Sequence, residues 1–354
     1  MSGAGAVAGR QGLTVGWLNA ALAPALDGAE VTRAHAVPVG TGQVSDSVRL
    51  TLAYSRAAGL PATMVAKVPS ADPSSRQAAR AVRTYEIEAS FYSEIAPGLN
   101  AASIPACYFA AHDTGTDDYV VLLDDLAPAK PGDQLAGLAP DDARAAVREL
   151  AVLHAACWLS PVLAGTGWLN RSTPKSAEFT ATMVTALYEG FLERYAGRLA
   201  PETLAVMDKF VPALPAYLQD SGESVTLAHG DFRADNLLFG SGRPVIVDWQ
   251  SCRMGAGTAD LAYFLGSSLP VPLRREQEQS LVRHYHDVLT EHGAELDWDR
   301  CWAEYRKFAL NGVLAAIAAA MMVKRTDRGD QMFCAMADRH ASHALDLDAL
   351  SLVR

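Results

Sequence analysis

Between residues 48 and 54 the apolar side chains Val48, Leu50, Leu52 and Tyr54 alternate with others. That is the two-residue period of a half-buried strand. A second strand is expected over 63–68, after the turn-like stretch 55–62. Through 76–96, Val82, Tyr85, Ala89, Tyr92 and Ala96 recur at spacings of three and four, which predicts one face of a single helix closed by Pro97-Gly98. Two more strands are expected over 104–111 and 119–123. Everything up to about residue 126 therefore predicts a sheet with one helix. Beyond Pro128 the pattern changes. Pro140, Asp141 and Asp142 open a helix whose Val147, Leu150, Leu153 and His154 share a face, since proline and acids suit a first turn. Helical stretches continue over 176–217, and a short strand-rich, polar island follows over 225–249. The apolar run 309–323 carries Asn311 and Gly312 and falls short of the roughly 20 residues a membrane span needs. It is expected as a buried helix closed by Lys324 and Arg325, whose charges suit a helix C-terminus.

Composition narrows the picture. With 354 residues, half of them apolar and 20% charged, the chain has material for two cores, because single cores stop growing well before roughly 300 residues. The formal net charge of −10 argues against nucleic acid or an anionic membrane as partner, since both require a basic surface. Five cysteines, Cys107, Cys157, Cys252, Cys301 and Cys334, are scattered without any C-x-x-C spacing. They are expected as reduced thiols in a cytoplasmic protein. The first ten residues are small and lack the basic region followed by an apolar run of a signal peptide.

The island carries the chemistry. It reads His229-Gly230-Asp231-Phe232-Arg233-Ala234-Asp235-Asn236, then Leu237-Leu238-Phe239, the turn Gly240-Ser241-Gly242-Arg243-Pro244, and Val245-Ile246-Val247-Asp248. Two short strands flank a tight turn, with Asn236 entering the hairpin and Asp248 leaving it. Two oxygen ligands on opposite strands are thereby able to meet at one hard cation. Asp231, five residues before Asn236, lies in a loop where its carboxylate can face an acceptor hydroxyl.

This pattern resembles the catalytic loop of kinases, an Asp, four residues, an Asn and a second Asp a dozen residues on. In particular it is similar to the aminoglycoside phosphotransferase and choline kinase family, in its ecdysteroid-kinase-like branch, where His-Gly-Asp stands in place of His-Arg-Asp. The resemblance implies an α+β, two-lobed protein-kinase-like fold: a small sheet-plus-helix N-lobe over 13–126 with a hinge near 122–126, and a larger, mostly helical C-lobe over 127–354. Residues 1–12 are expected as a flexible tail. Lys67 in Val65-Ala66-Lys67 looks like the strand lysine that binds nucleotide phosphates, and Glu88, before Phe91-Tyr92, like the helix glutamate paired with it, ahead of Glu86. Gly40 and Gly42 sit where the family keeps its phosphate-covering loop, glycines letting backbone N–H groups approach phosphate oxygens. Leu123 and Asp124 match the hinge whose main chain contacts the nucleobase. Asp260 matches a buried aspartate that ties down the catalytic loop.

The resemblance thus implies a small-molecule kinase with ATP, or GTP, and Mg²⁺ as cofactors. Asn236 and Asp248 would ligate the metal, Lys67 and Glu88 would serve the phosphates, and Asp231 would align the acceptor hydroxyl and take its proton. Only eleven residues separate Asp248 from Asp260, too few for a protein kinase's activation segment. The acceptor is then a small molecule. An aminoglycoside O-phosphotransferase and a catalytically silent nucleotide-binding scaffold are alternatives within the fold. A metal hydrolase fits less well, because His229 and Asp231 lack a second histidine at H-E-x-x-H spacing. From Ser251 to Arg354 there are 14 acidic and 12 basic residues. This near balance, with Trp249, Tyr263, Phe264, Trp298, Trp302 and Tyr305, favours an uncharged or weakly charged acceptor with an apolar body.

Overall fold

The computed structural model describes residues 4–40, 44–323 and 325–353. It has an α+β architecture and separates into two compact units. The first holds the chain up to Asn100, Ile104–Pro128 and Val247–Ser251. The second holds Ala101–Ser103, Ala129–Ile246 and Cys252 onward. Each unit thus borrows a short piece from the sequence range expected for the other.

The first unit runs α1 (Val15–Leu26), β1 (Val31–Pro38), β2 (Ser45–Tyr54), β3 (Thr63–Pro69), α2 (Pro73–Ala81), α3 (Thr84–Ser90), β4 (Cys107–His112) and β5 (Tyr119–Asp124). The strands form one antiparallel sheet in the order β1-β2-β3-β5-β4. Alternation decides which side chains meet the core. Val48, Leu50 and Leu52 of β2, Met64, Ala66 and Val68 of β3, and Val120 and Leu122 of β5 pack with Leu18, Ala21, Leu22 and Leu26 of α1. On β3 that parity turns Val65 and Lys67 to the other face.

Three sequence expectations are corrected here. The helix expected over 76–96 is two helices, because Arg83 adopts a left-handed conformation (φ 59°) between α2 and α3. Val82, placed on the apolar face by periodicity, is consequently exposed. Past α3 the chain continues through a π-helical turn, Phe91–Ile95, in place of a regular helix end. The described part of the expected tail is tied down: Val7 is buried and its carbonyl accepts the Tyr119 N–H at 3.1 Å, while Trp17 Nε1 donates to the Gly5 carbonyl at 2.9 Å.

The second unit contains β6 (Lys130–Pro131), α4 (Pro140–Ala156), α5 (Pro161–Gly165), β7 (Asn170–Arg171), α6 (Pro174–Tyr195), α7 (Pro201–Gln219), β8 (Val225–Ala228), β9 (Leu237–Phe239), β10 (Val245–Ile246) and β11 (Arg253–Ala256). It ends with α8 (Gly257–Ser268), α9 (Val271–Glu291), α10 (Trp298–Phe308), α11 (Asn311–Met322) and α12 (Asp327–Asp346). The island's hairpin is present, Leu238 facing Val245 and Leu237 facing Ile246. Val147, Leu150, Leu153 and His154 of α4 are all buried. The apolar run forms α11, and Lys324 lies outside the described residues. Among the described residues no helix is long and apolar enough to cross a membrane.

Candidate active site

In the first unit, β3 presents Lys67 on the face away from α1, and α3 presents Glu88 toward it. Lys67 Nζ lies 2.5 Å from Glu88 Oε1 and 2.8 Å from Asp248 Oδ1. The other Glu88 oxygen accepts the Tyr119 hydroxyl at 2.8 Å, and the Tyr119 ring stacks on Tyr85 with centroids 4.6 Å apart. Glu88 is 1% exposed, and burial pushes its carboxyl above the usual range against the pull of Lys67. For Lys67, burial works to lower the pKa, but the charges of Asp248 and Glu88 outweigh it and hold the ammonium above its ordinary value. Lys67 is therefore a cation at any working pH. Glu86, two residues earlier, is bound instead by Arg83 at 2.8 and 2.7 Å.

Asp248 stands in the left-handed region (φ 68°), a conformation aspartate tolerates better than most side chains. Its neighbour explains how it is kept there. Trp249 is fully buried and stacks flat on Phe91, centroids 3.9 Å apart, which pins the segment beside the end of α3.

In the second unit, the 229–236 loop is held from α8. Asp260, 2% exposed, accepts the His229 N–H at 2.5 Å and the Gly230 N–H at 3.1 Å. Burial alone would raise its pKa, but His154, 3.5 Å away, and neighbouring charges bring it below the usual range. His154 also meets the Tyr285 hydroxyl at 2.8 Å. It belongs to the support of the loop and touches none of the proposed reacting groups.

The Asp231 carboxylate accepts four hydrogen bonds from three side chains. Arg233 Nε reaches Oδ1 at 3.2 Å and Oδ2 at 3.1 Å, Asn236 Nδ2 donates to Oδ2 at 2.9 Å, and the Tyr263 hydroxyl donates to Oδ1 at 3.2 Å. Asn236 Nδ2 also donates to the Asp231 carbonyl at 2.9 Å, which commits the amide nitrogen and leaves Oδ1 of Asn236 as the atom of that side chain able to bind a cation. Arg233 further binds Asp235 at 2.6 Å and Gln134 Oε1 at 2.8 Å.

The sequence profile of the ecdysteroid kinase-like family matches residues 40–298. The chain belongs to the ecdysteroid kinase-like family. Among solved structures, this member is similar to choline kinase from Cryptosporidium parvum Iowa II, with 10% identity, 89% of each chain covered and a TM-score of 0.56. A choline/ethanolamine kinase family protein from Mesorhizobium loti gives 17%, 95% of this chain and 97% of that one, at 0.52. ADP-bound aminoglycoside phosphotransferase APH(2'')-Ib gives 15%, 89% and 95%, at 0.51. These likenesses establish the protein-kinase-like fold. Mouse acyl-CoA dehydrogenase family member 10 is 35% identical over 94 residues, 24% of this chain; the match spans only 9% of that protein.

Within this ecdysteroid kinase-like chain, Lys67, Glu88 and Asp248 come together in one unit, and Asp231 and Asn236 in the other. Gly40 has φ 73°, a conformation that favours glycine; Gly42 lies outside the described residues. Leu123 sits in β5, between β3 and β4, and the Asp124 N–H already donates to the Ala106 carbonyl at 2.9 Å while Tyr108 binds its carboxylate at 2.5 Å. Of the six aromatic residues, Trp249, Phe264 and Tyr305 are core, and Trp298 and Trp302 stack on one another 5.9 Å apart. Tyr263 touches a proposed reacting group, Asp231. Tyr119, Arg233 and Gln134 complete the two clusters and were not singled out from sequence. Arg233 lies inside the motif and Tyr119 at the start of β5, so both had a local signal; Gln134, 99 residues from Arg233, had none.

Proposed function

We propose that the chain is a small-molecule kinase that transfers the γ-phosphate of ATP, or of GTP, with Mg²⁺, to a hydroxyl of a small-molecule acceptor. The observation that carries this reading is Lys67 seated between Glu88 and Asp248, residues 21 and 181 positions away. A half-buried cation fixed by two carboxylates is costly to assemble, and holding phosphate oxygens gives it a use. Asn236 Oδ1 and the Asp248 carboxylate are hard oxygen donors and fit Mg²⁺, which commonly takes one or two protein ligands and completes its shell with phosphate and water. When bound, the ion would neutralise charge on the transferring phosphoryl group.

The remaining work falls to this chain's residues. Glu88 orients Lys67 toward the phosphates, and Asp231 accepts a hydrogen bond from the acceptor hydroxyl and aims its oxygen in line. As the acceptor oxygen bonds to the γ-phosphorus, the bond from that phosphorus to the β,γ-bridging oxygen breaks. The nucleoside diphosphate leaves, and the hydroxyl proton passes to Asp231 late in the transfer. Reduced cysteines and a nucleotide cofactor are in keeping with a cytoplasmic setting.

The acceptor is proposed to be neutral or weakly charged. Several carboxylates of the second unit are already paired: Asp235 by Arg233, Asp330 by Arg325 and Tyr195, Asp338 by Thr203, Glu278 by Arg274, and Asp346 by Arg275. A polycationic aminoglycoside would have to displace such pairs or go uncompensated. Incubation with Mg-ATP tests the whole reading. Acceptor-dependent ADP release with a phosphorylated product supports a kinase; binding without turnover of any hydroxyl compound would leave the silent scaffold. Kanamycin-type compounds set against apolar alcohols decide the acceptor class, and turnover of aminoglycosides alone would reverse the proposal on charge.

A further inference from the structure

The donors on Asp231 differ in where they come from. Arg233 and Asn236 lie two and five residues along the same loop, so they travel with Asp231 if the loop shifts. Tyr263 reaches Oδ1 from α8, 32 residues away, and is the contact that refers the carboxylate to the helical scaffold. Asp260 stands one turn earlier on the same helix and holds the loop's backbone through His229 and Gly230. Residues three apart share a helix face. One face of α8 thereby fixes both the main chain and the side chain of the segment.

Tyr263 is itself held. Its ring stacks on His340 of α12, centroids 5.4 Å apart and planes 14° from parallel. His340 is fully buried in a slot whose walls are glycines. A Cβ at Gly312 of α11 would fall 2.1 Å from the imidazole, and one at Gly266 of α8 would fall 2.4 Å from it. No larger residue fits either position without moving the ring. Burial, aided by the charges of His343 and Arg274, pushes His340 well below the usual histidine range, so the wedge stays neutral. Burial likewise raises the Tyr263 hydroxyl well above its usual value, so it remains a donor. Met336 Sδ, 3.6 Å from that hydroxyl, is a weak acceptor and does not compete with a carboxylate.

We propose that Tyr263 is a positioning residue for phosphoryl transfer, setting the orientation of the Asp231 carboxylate through its hydroxyl while His340, wedged between Gly266 and Gly312, sets the orientation of Tyr263. The inference rests on Asp231 being the carboxylate that aligns the attacking hydroxyl. Water serves as the acceptor in the test, so no natural acceptor is required. Parent, Tyr263→Phe and Asp231→Asn are compared for ADP release from Mg-ATP, and crystal structures of parent and Tyr263→Phe report the carboxylate directly. Loss of one hydrogen bond to a charged group predicts about tenfold lower kcat in Tyr263→Phe, with KM for Mg-ATP unchanged. Asp231 should be turned away from its parent orientation while Asp260 still holds His229 and Gly230. Parent kcat, or an unmoved Asp231 carboxylate in the Tyr263→Phe crystal, would overturn the inference even if thermal stability fell, because packing alone would then account for Tyr263. Parent-like release from Asp231→Asn would overturn the role of Asp231 and this inference with it; slow Asp231→Asn beside fast Tyr263→Phe would remove the inference alone.

Discussion

Each of the two site clusters sets a cation between two carboxylates, and the two constructions are opposite in sense. Lys67 lies between Glu88 and Asp248 at 2.5 and 2.8 Å, whereas Arg233 lies between Asp231 and Asp235 at 3.1 and 2.6 Å. In the first cluster the proposed working group is the cation, and the acids aim it. In the second it is the carboxylate Asp231, and the cation is frame. The chemistry of the two ions suits that division. An ammonium has three rotatable donors and can exchange one acid for a phosphate oxygen, while a guanidinium presents a fixed planar fork. Their assembly differs as well: Lys67 joins segments 181 residues apart, but Arg233 meets both its acids two residues away.

That contrast orders the effects of substitution. Asp231→Asn should produce the largest, lowering turnover about a hundredfold or more with Mg-nucleotide affinity nearly intact, since it removes the proton acceptor and keeps the shape. Equal turnover in single-turnover assays with Mg-ATP would take Asp231 out of catalysis. Asp248→Ala comes next and acts on binding: calorimetry should find metal-dependent nucleotide affinity weakened by roughly tenfold or more, because an anionic oxygen ligand is gone. Unchanged Mg-ATP binding would remove Asp248 from the metal site. Lys67→Ala and Glu88→Ala should each cut activity, with the double mutant losing less than the sum because the two act as a pair. Strict additivity would dissolve the pair, and Glu86→Ala, whose partner is Arg83, serves as the near-silent control.

The two units were also unequally legible in sequence. In the first, alternation marked β2, because a two-residue period repeated over several residues has little other explanation. Helical spacing failed at Val82, where the left-handed turn at Arg83 restarts the helix, because spacing alone cannot register a break that leaves it nearly intact. α1 and β1 went unmarked: Ala and Pro dilute the helix pattern, and the burial of β1 is almost confined to Val31. In the second, the 229–236 motif stood out because its groups are close in sequence, and resemblance added Asp260. Gln134 and His340 did not stand out, since they meet the loop or its neighbours only through tertiary packing. Glu88 was separated from Glu86 by resemblance; the structural reason is that Tyr119, on β5, closes its second oxygen.

The smallest effect concerns stability and falls on the second unit alone. His340 and His343 of α12 are fully buried, and burial pushes both below the usual histidine range, for His343 despite its bonds to Glu278 at 2.8 Å and the Tyr305 hydroxyl at 2.9 Å. His284 on α9 shifts the same way, also chiefly by burial. Arg274 and Arg339 face the α12 pair as cations, with Glu278 and Asp346 as the nearby acids. A histidine whose folded pKa is depressed leaves the folded state with fewer bound protons than the unfolded chain. Its contribution is therefore whole above the unfolded value near 6.5 and is lost as pH falls below it. The lowered carboxyls Glu278, Asp346 and Asp260 lose theirs only further down, below about 4.5, so the window between about pH 6.5 and 5 belongs to the histidines. Each histidine that protonates only when unfolded removes at most about 1.4 kcal/mol per pH unit. Urea unfolding at pH 7.5, 6.5 and 5.5 should show a midpoint that is flat over the first step and drops over the second. His340→Phe, which keeps a ring in the glycine slot and cannot titrate, should reduce the drop. A midpoint that holds from pH 6.5 to 5.5 would mean that these imidazoles are already protonated within the fold.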